Sequence, residues 1–277
     1  MIYIYRQKAS NGARELSEAI TVNSRRINDL QKAHFGQGVR SGDKVVCWGE
    51  HLPDIEGVSI LNGKPISNKF EDAITLKENG VVTVEVNNVR PPVAEPFDCL
   101  AEVHRIASMM GTSNLETVRT QVATIQEYLN RPPAPVVEWL PRKFHHVGGN
   151  DLLHPPAQPD YFARKENLVK EYRVHWFNGR SIRAGVKQPI GTEYHPWIRS
   201  FDGEWSTQYD GFGSTAAMRR LASKAVKALQ LDFAAVDLGE KDDGSLIVLE
   251  VNRAPGIEGG TVTAYANAIK DWANDLG

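Results

Sequence analysis

The segment from Phe233 to Gly256 constrains this chain more than any other part of its sequence. It consists of two apolar runs joined through Asp243-Gly244, a dipeptide typical of a tight type I′ hairpin turn. With a two-residue loop of that type, Asp237 lies directly opposite Glu250. Because side chains alternate between the two faces of a strand, Asn252 shares the face of Glu250. The segment therefore predicts a hairpin on which two carboxylates and an amide oxygen converge.

Oxygen donors of this kind are the ligands that Mg²⁺ prefers in proteins. A single carboxylate on an apolar strand has a simpler interpretation, because it can belong to a buried ion pair or face solvent on a one-sided sheet. Three oxygen donors on one face are harder to explain in this way, since an isolated buried carboxylate is strongly destabilising unless it is paired or metal-bound. We therefore predict that Asp237, Glu250 and Asn252 bind a divalent metal.

The composition narrows the class of protein. The chain has 277 residues, and its 32 basic residues nearly balance its 34 acidic ones, for a net charge of −2. This balance argues against a dedicated nucleic-acid-binding protein, which usually carries a basic excess. The sequence has no apolar run of the roughly 18 residues that a membrane span requires, and its polar start is not typical of a signal peptide. With only Cys47 and Cys99, which lack the spacing of metal ligands, we expect a cytoplasmic protein with no nucleic-acid or membrane partner, and we leave its oligomeric state open.

Strand and helix patterns alternate over the first 90 residues, which predicts an α/β domain. Strand patterns cover Met1–Arg6, Lys44–Trp48, Gly57–Leu61 and Val81–Val86, and helical patterns cover Ala13–Ile20 and Ser67–Glu78. Two proline-rich segments then enclose a predicted helical insertion at residues 91–135, with helices at Phe97–Met110 and Leu115–Leu129.

The remainder, residues 136–277, mixes strands and helices in an α+β pattern. Predicted strands are Val136–Leu140, Tyr161–Arg164, and the hairpin of Glu171–Phe177 and Ser181–Lys187 around Asn178-Gly179; predicted helices are Thr215–Gln230 and Val262–Leu276. The segment Phe144–Asn150 reads as a loop with glycines and histidines, and Pro189–Asp210 shows no legible motif.

Four phrases of the sequence resemble those of ATP-grasp ligases in both order and spacing. They are SNKFEDAITLKENGVVTV, WLPRKFHHVGGN, EYRVHWFNGRSIRAGVK and VDLG…LEVNRAPG. Within that superfamily the resemblance is greatest to the glutamate ligases that modify a ribosomal protein (RimK-type) and to small ATP-grasp proteins of bacteriophages. The phrases CWGEHLP and SILNGKPISNK carry the bacteriophage part of it.

The resemblance implies an ATP-grasp fold of the α/β (α+β) class. An N-terminal α/β pre-ATP-grasp domain would cover residues 1–90. Two α+β subdomains within residues 136–277, divided near residue 170, would hold ATP between antiparallel sheets. The insertion at 91–135 has no counterpart in the resemblance.

The resemblance also implies roles for individual residues. The segment with Asp237, Glu250 and Asn252 would bind one or two Mg²⁺ ions, for which Mn²⁺ is expected to substitute. Cofactor contacts would come from Glu171 at the ribose, from Lys69 and Lys187 at the nucleotide and its triphosphate, from Arg142 or Lys143 at the phosphates, and from the glycine pair Gly148 and Gly149. Lys187 and Arg142 would be the catalytic cations, because phosphoryl transfer needs charge neutralisation and alignment.

Several of these residues have simpler interpretations. Glu171 and Arg173 share a strand face and could pair with each other, and the loop residues His145 and His146 could be merely solvated. Lys69 and Lys187 could be ordinary surface lysines, and Gly148-Gly149 an ordinary turn. A natural anion site lies at Gly259-Gly260-Thr261, which precedes a predicted helix.

The implied reaction is the ATP-dependent joining of a carboxylate to an amine through an acyl phosphate, with release of ADP and phosphate. The substrates would be a small-molecule, peptide or protein carboxylate and amine, and the sequence does not distinguish among them. Two other functions stay open: a nucleotide-binding or scaffolding protein without turnover, and a kinase of small molecules.

Overall fold

A computed structural model describes residues 1–6, 10–20, 24–27, 39–91, 137–144 and 150–275. The two helices predicted within residues 91–135 lie outside the described residues. So do the loop residues 145–149, which include His145, His146, Gly148 and Gly149.

The first sheet is parallel and has four strands. They are β1 Ile2–Tyr5, β2 Ser24–Ile27, β3 Lys44–Cys47 and β4 Ser59–Leu61, and helix α1 Asn11–Ile20 follows β1. Their order in the sheet is β2-β1-β3-β4. One side of the sheet packs on α1 and on the last helix of the chain, where Ile4, Leu16 and Trp48 meet Tyr265 and Ile269 in one core. The parallel pairing is that of the predicted α/β domain.

The third sheet in chain order of its first strand is the smallest, and the largest is antiparallel with five strands. The smallest has β5 Val86–Asn87, β6 Trp139–Arg142 and β7 Tyr161–Arg164, in the order β5-β7-β6. The five-stranded sheet has β8 Lys170–Phe177, β9 Arg180–Pro189, β10 Trp205–Gln208, β11 Phe233–Glu240 and β12 Leu246–Asn252, in the order β10-β9-β8-β11-β12. The predicted turn between β8 and β9 is confirmed: Asn178 and Gly179 both have positive φ, 40° and 84°, as a type I′ turn requires.

Four more helices complete the described part of the chain. They are α2 Lys69–Glu78, α3 Asn150–Leu153, α4 Ala216–Ala228 and α5 Gly260–Asp275, and a 3-10 turn covers Phe201–Gly203. Within the described ranges, none of the helices combines the length and the apolar character that a membrane crossing requires.

The two faces of the five-stranded sheet differ sharply in polarity. Along β8, Tyr172, Val174 and Trp176 point to one face and pack with α4 residues such as Ala222 and Val226. The alternate residues of β8 therefore point to the opposite face, and they are Glu171, Arg173 and His175. This opposite face is polar because neighbouring strands contribute Lys187, Asp237, Glu250 and Asn252 to it.

The predicted pairing of Asp237 with Glu250 is confirmed, but the predicted turn is wrong. The loop has three residues, since the Lys241 amide donates to the Ser245 carbonyl at 2.9 Å and Gly244 has a φ of 78°. This loop shifts the register by one residue, and a β-bulge at Leu249 shifts it back before Glu250. The two irregularities cancel at the pair that matters.

Two further expectations need correction. Val81–Val86 is not one strand: Thr83 makes a single bridge to Val248, and only Val86–Asn87 forms a strand, which pairs with β7 of the smallest sheet. Val248 accounts for this, because its amide donates to Val82 and its carbonyl accepts from Val84, so the chain crosses β12 at one point. The supposed motif-free segment Pro189–Asp210 contains strand β10.

Candidate functional site

A cavity of about 820 Å³ lies against the polar face of the five-stranded sheet and reaches the smallest sheet. Apolar side chains line part of it: Val84, Leu140, Ala163, Leu168 and Leu249. Charged side chains line another part: Arg142, Glu171, Arg173, Lys187, Arg199, Asp237 and Glu250. A cavity of this size and mixed lining fits a ligand with both a flat apolar group and an anionic group.

Asp237 lies at the centre of the charged part and is held by Arg173. Arg173 Nε and Nη2 donate to the two carboxylate oxygens, both at 2.7 Å. Burial raises the pKa of Asp237, but Arg173 and Lys187 outweigh it and the net shift is downward, so the carboxylate is ionised. Sequence analysis considered Arg173 as a partner of Glu171; its partner is Asp237 instead.

Lys69 neutralises the neighbouring pair, Glu250 and Asn252. Its Nζ lies 2.9 Å from Asn252 Oδ1, 3.0 Å from the Val251 carbonyl and 3.4 Å from Glu250 Oε1. Lys69 reaches this point because it opens α2, whose start is fixed by a capping box between Asn68 and Glu71. The predicted nucleotide lysine therefore lies at the predicted metal ligands.

A buried network fastens the start of α2 to the end of β12. Arg253 Nη2 donates to Asp72 Oδ1 and to Ser67 Oγ, both at 2.7 Å. Arg253 follows Asn252 directly in the chain, and Asp72 lies one turn after Lys69. The network therefore sets the position of Lys69 relative to the acidic hairpin.

Glu171 and Lys187 form a second buried ion pair on the same face, with Nζ 3.0 Å from Oε2. Burial raises the pKa of Glu171 and dominates over the opposing effect of Lys187. Burial lowers the pKa of Lys187, but Asp237 and Glu171 outweigh it and raise the pKa above its ordinary value. Lys187 is therefore a fixed positive charge between two carboxylates.

The structure separates the alternatives Arg142 and Lys143. Arg142 lines the cavity, and its Nε donates to Asp151 Oδ2 of α3 at 2.7 Å. The Lys143 side chain instead donates to the Gln158 carbonyl at 2.6 Å and lies 3.2 Å from Asp160 Oδ1. Arg142 is thus the cation that faces the ligand space, and Lys143 is not among the residues that line it.

The donors Asp237, Glu250 and Asn252 fit a magnesium ion that is shared with a ligand. They supply two carboxylates and an amide oxygen on one sheet face. Among the described residues, no cluster of three or more His, Cys, Asp and Glu side chains forms a closed metal site. An incomplete set of oxygen donors suits Mg²⁺, which usually completes its coordination with water and substrate phosphates.

Comparison with known proteins agrees with this architecture. Residues 142–256 match a family model of the ATP-grasp domain, the third family of its clade. That range contains β7 to β12 and the end of β6, and with them both halves of the cavity wall. The chain has the ATP-grasp fold.

Solved structures of ATP-grasp enzymes are similar over nearly the whole chain. The ATP-grasp ligase PsnB complexed with a minimal precursor has 11% identity and a TM-score of 0.59, and the match covers 98% of each chain. The D-alanine–D-alanine ligase of Bacillus anthracis complexed with ATP has 13% identity and a TM-score of 0.55, with 99% of this chain and 97% of that chain covered. The D-cycloserine synthetase DcsG has 16% identity and a TM-score of 0.51, with 98% and 99% covered. No curated protein matches significantly by sequence.

Two cavity residues escaped the sequence analysis as site residues. Arg173 had a usable signal, because the alternation in EYRVHWF places it on the face of Glu171. Arg199 had none, since it lies in the irregular segment before β10 and contacts residues about thirty positions away.

Proposed function

We propose that this ATP-grasp protein is an ATP- and Mg²⁺-dependent ligase that joins a carboxylate to an amine. The observation that carries the proposal is the convergence of the acidic hairpin with Lys69, Lys187 and Arg142 around one cavity. Phosphoryl transfer requires positioned positive charge and little covalent chemistry from the protein, and this arrangement supplies it.

The nucleotide would bind with its ribose at Glu171, which as a carboxylate accepts hydrogen bonds from hydroxyl groups. Leu140, Ala163, Leu168 and Leu249 would enclose the base, since they form the apolar part of the lining. Lys187 and Arg142 would contact the triphosphate, and Gly148 and Gly149 keep their expected role as a phosphate-covering loop.

Asp237, Glu250 and Asn252 would hold one or two Mg²⁺ ions, with Mn²⁺ as a substitute. When bound, the metal neutralises phosphate charge. Lys69 and Arg173 satisfy the same oxygens in the protein alone, so they would be released towards the phosphates as the charge of the site changes.

In the proposed reaction, a substrate carboxylate oxygen attacks the γ-phosphorus and ADP leaves. The acyl phosphate then reacts at its carbonyl carbon with an amine, phosphate leaves, and the amine gives up a proton. Lys187 and Arg142 stabilise the negative charge that develops on the transferred phosphoryl group. Water is excluded from the acyl phosphate by the cavity walls.

The substrate is a small molecule, a peptide or a protein end. PsnB is solved with a precursor and the macrocyclase MdnC from Microcystis aeruginosa with a precursor peptide, whereas DcsG makes a small molecule. The resemblance to RimK-type ligases and bacteriophage proteins favours an amino acid or a peptide terminus as one partner, acting in the cytoplasm.

A screen of amino acids and peptides for ADP release, followed by mass analysis of the products, tests the proposal. An amide product that requires ATP supports it. ATP binding without turnover on any substrate indicates a binding or scaffolding protein, and a phosphorylated product without an amide indicates a kinase.

A further inference from the structure

The segment from Ile190 to Gln208 forms one wall of the cavity, although the proposed reaction has not used it. Backbone hydrogen bonds from Ile190 to Glu204 and from His195 to Gly203, both 2.9 Å, fold it back on itself. The Trp205 indole donates to the His195 carbonyl at 2.8 Å. The segment lines the cavity with Trp197, Ile198, Arg199, Phe201 and Trp205. It is therefore a built wall and not an unsupported loop.

Arg199 is the charged residue of this wall, and only 11% of its side chain is exposed. Its Nη2 donates to the Leu168 carbonyl at 2.8 Å, and its guanidinium stacks on Trp205 at 5.1 Å from the ring centroid. Its Nε is buried and has no hydrogen-bond partner among the described residues, while Glu171 Oε1 lies 4.0 Å away. A buried donor without a partner is costly, so this N–H marks a place where a ligand atom belongs.

The chemistry of the gap limits what can fill it. Arg199 Nε can only donate a hydrogen bond, and the ionised Glu171 can only accept one. An atom that joins them must accept from one and donate to the other, which a hydroxyl group does and a carbonyl or phosphate oxygen does not. An oxygen about 2.8 Å from both atoms subtends an angle of about 90° across the 4.0 Å gap, an ordinary geometry for a hydroxyl.

We propose that Arg199 and Glu171 together form the ribose subsite, with one ribose hydroxyl donating to Glu171 and accepting from Arg199 Nε. The inference rests on the proposed function, since it takes the ligand to be ATP. It assigns Arg199 as a nucleotide-binding residue and makes the segment 190–208 part of the nucleotide site. Arg199 also ties Leu168, in the link between β7 and β8, to the ribose carboxylate.

The test compares ATP, 2′-deoxy-ATP and 3′-deoxy-ATP binding to the wild type and to Arg199→Met by isothermal titration calorimetry in the presence of Mg²⁺. We expect the wild type to bind one deoxynucleotide about ten- to a hundredfold more weakly than ATP, the effect of a hydrogen bond to a charged group. Arg199→Met should weaken ATP binding by about tenfold and reduce this discrimination by the same factor. Arg180→Met is the matched control, because Arg180 pairs with Asp271 on the exposed surface, with both side chains 60% exposed.

Three results overturn the inference: equal binding of ATP and both deoxynucleotides by the wild type, as when only water fills the gap; an equal loss of all three nucleotides in Arg199→Met; or no change in that variant. If Arg199→Met does not fold, as judged by circular dichroism, Arg199→Lys is measured by the same criterion. Failure of the wild type to bind ATP at all contradicts the proposed function itself and is recognised before any variant is compared.

Discussion

Arg173 and Asp237 lie opposite each other on β8 and β11 and form a two-point ion pair, with two nitrogen–oxygen distances of 2.7 Å. The pair uses both oxygens of a carboxylate that we assign to the metal. Only 7% of the Asp237 side chain is exposed, so water contributes little to it. A divalent metal therefore competes with Arg173 for this carboxylate.

Arg173→Met should lower the free energy of unfolding by about 3–5 kcal/mol, because it leaves a buried carboxylate without its cation. Without nucleotide, Mn²⁺ should then raise the melting temperature more in the variant than in the wild type, where the guanidinium already neutralises Asp237. Thermal unfolding with and without Mn²⁺ measures both effects. Arg180→Met serves as the control, and an equal response to Mn²⁺ in the wild type and Arg173→Met contradicts the competition.

Glu250→Gln should abolish Mg²⁺- and ATP-dependent turnover while leaving the fold intact. The Glu250 side chain is 29% exposed and its contact with Lys69 is 3.4 Å, so its loss costs less than about 1 kcal/mol of stability. Asp237→Asn should also abolish turnover, but it should destabilise the protein as well, since it leaves Arg173 without its anion. Product analysis beside thermal unfolding separates the two effects. Full activity of Glu250→Gln would remove this residue from the metal site.

His175 should make stability depend on pH. It is fully buried between the hydroxyls of Tyr209 and Tyr265, at 2.9 and 3.2 Å, near the charges of Arg173 and Asp237. Burial, with a contribution from Arg173, lowers the pKa of His175 from 6.5 to about 3. The unfolded chain therefore binds a proton between pH 6.5 and about 3 that the folded protein does not, so this part of the stability is complete above pH 6.5 and is lost as the pH falls.

The slope from one such group is at most about 1.4 kcal/mol per pH unit. Denaturant unfolding of the wild type and His175→Gln at several pH values measures it, because glutamine keeps hydrogen-bonding groups but does not titrate. We expect a shallower loss of stability below pH 6.5 in the variant. Parallel curves for the two proteins would mean that other groups carry the acid sensitivity.

The polar face of the central sheet was predictable because it depends on local alternation. The sequence EYRVHWF contains both the helix-facing and the cavity-facing residues of β8, and the pattern needs no tertiary information. The pairing of Asp237 with Glu250 was predicted for an incomplete reason. The three-residue loop and the bulge at Leu249 each move the register by one residue, and neither is visible in the apolar pattern.

Contacts between distant segments could not be predicted in this way. The bulge depends on room at Gly239, where an added Cβ would lie 2.7 Å from Leu168 and 3.2 Å from Leu249. Lys69 reaches Asn252 across 183 positions of sequence, and a family resemblance indicated its role where periodicity could not. Arg199 had neither local pattern nor resemblance, because its position depends on how an irregular segment folds back over the cavity.

Glu171→Ala should raise the KM for ATP by about tenfold or more and lower kcat much less. A hydrogen bond to the ribose is made equally in the ground state and in the transition state, so its loss weakens binding without slowing the bound complex. Removing the carboxylate also deprives Lys187 of one partner, but Asp237 still holds its charge, so the phosphate contact is kept. Steady-state kinetics with ATP and 2′-deoxy-ATP provide the measurement. A loss confined to kcat would place Glu171 at the transferred phosphoryl group instead of at the ribose.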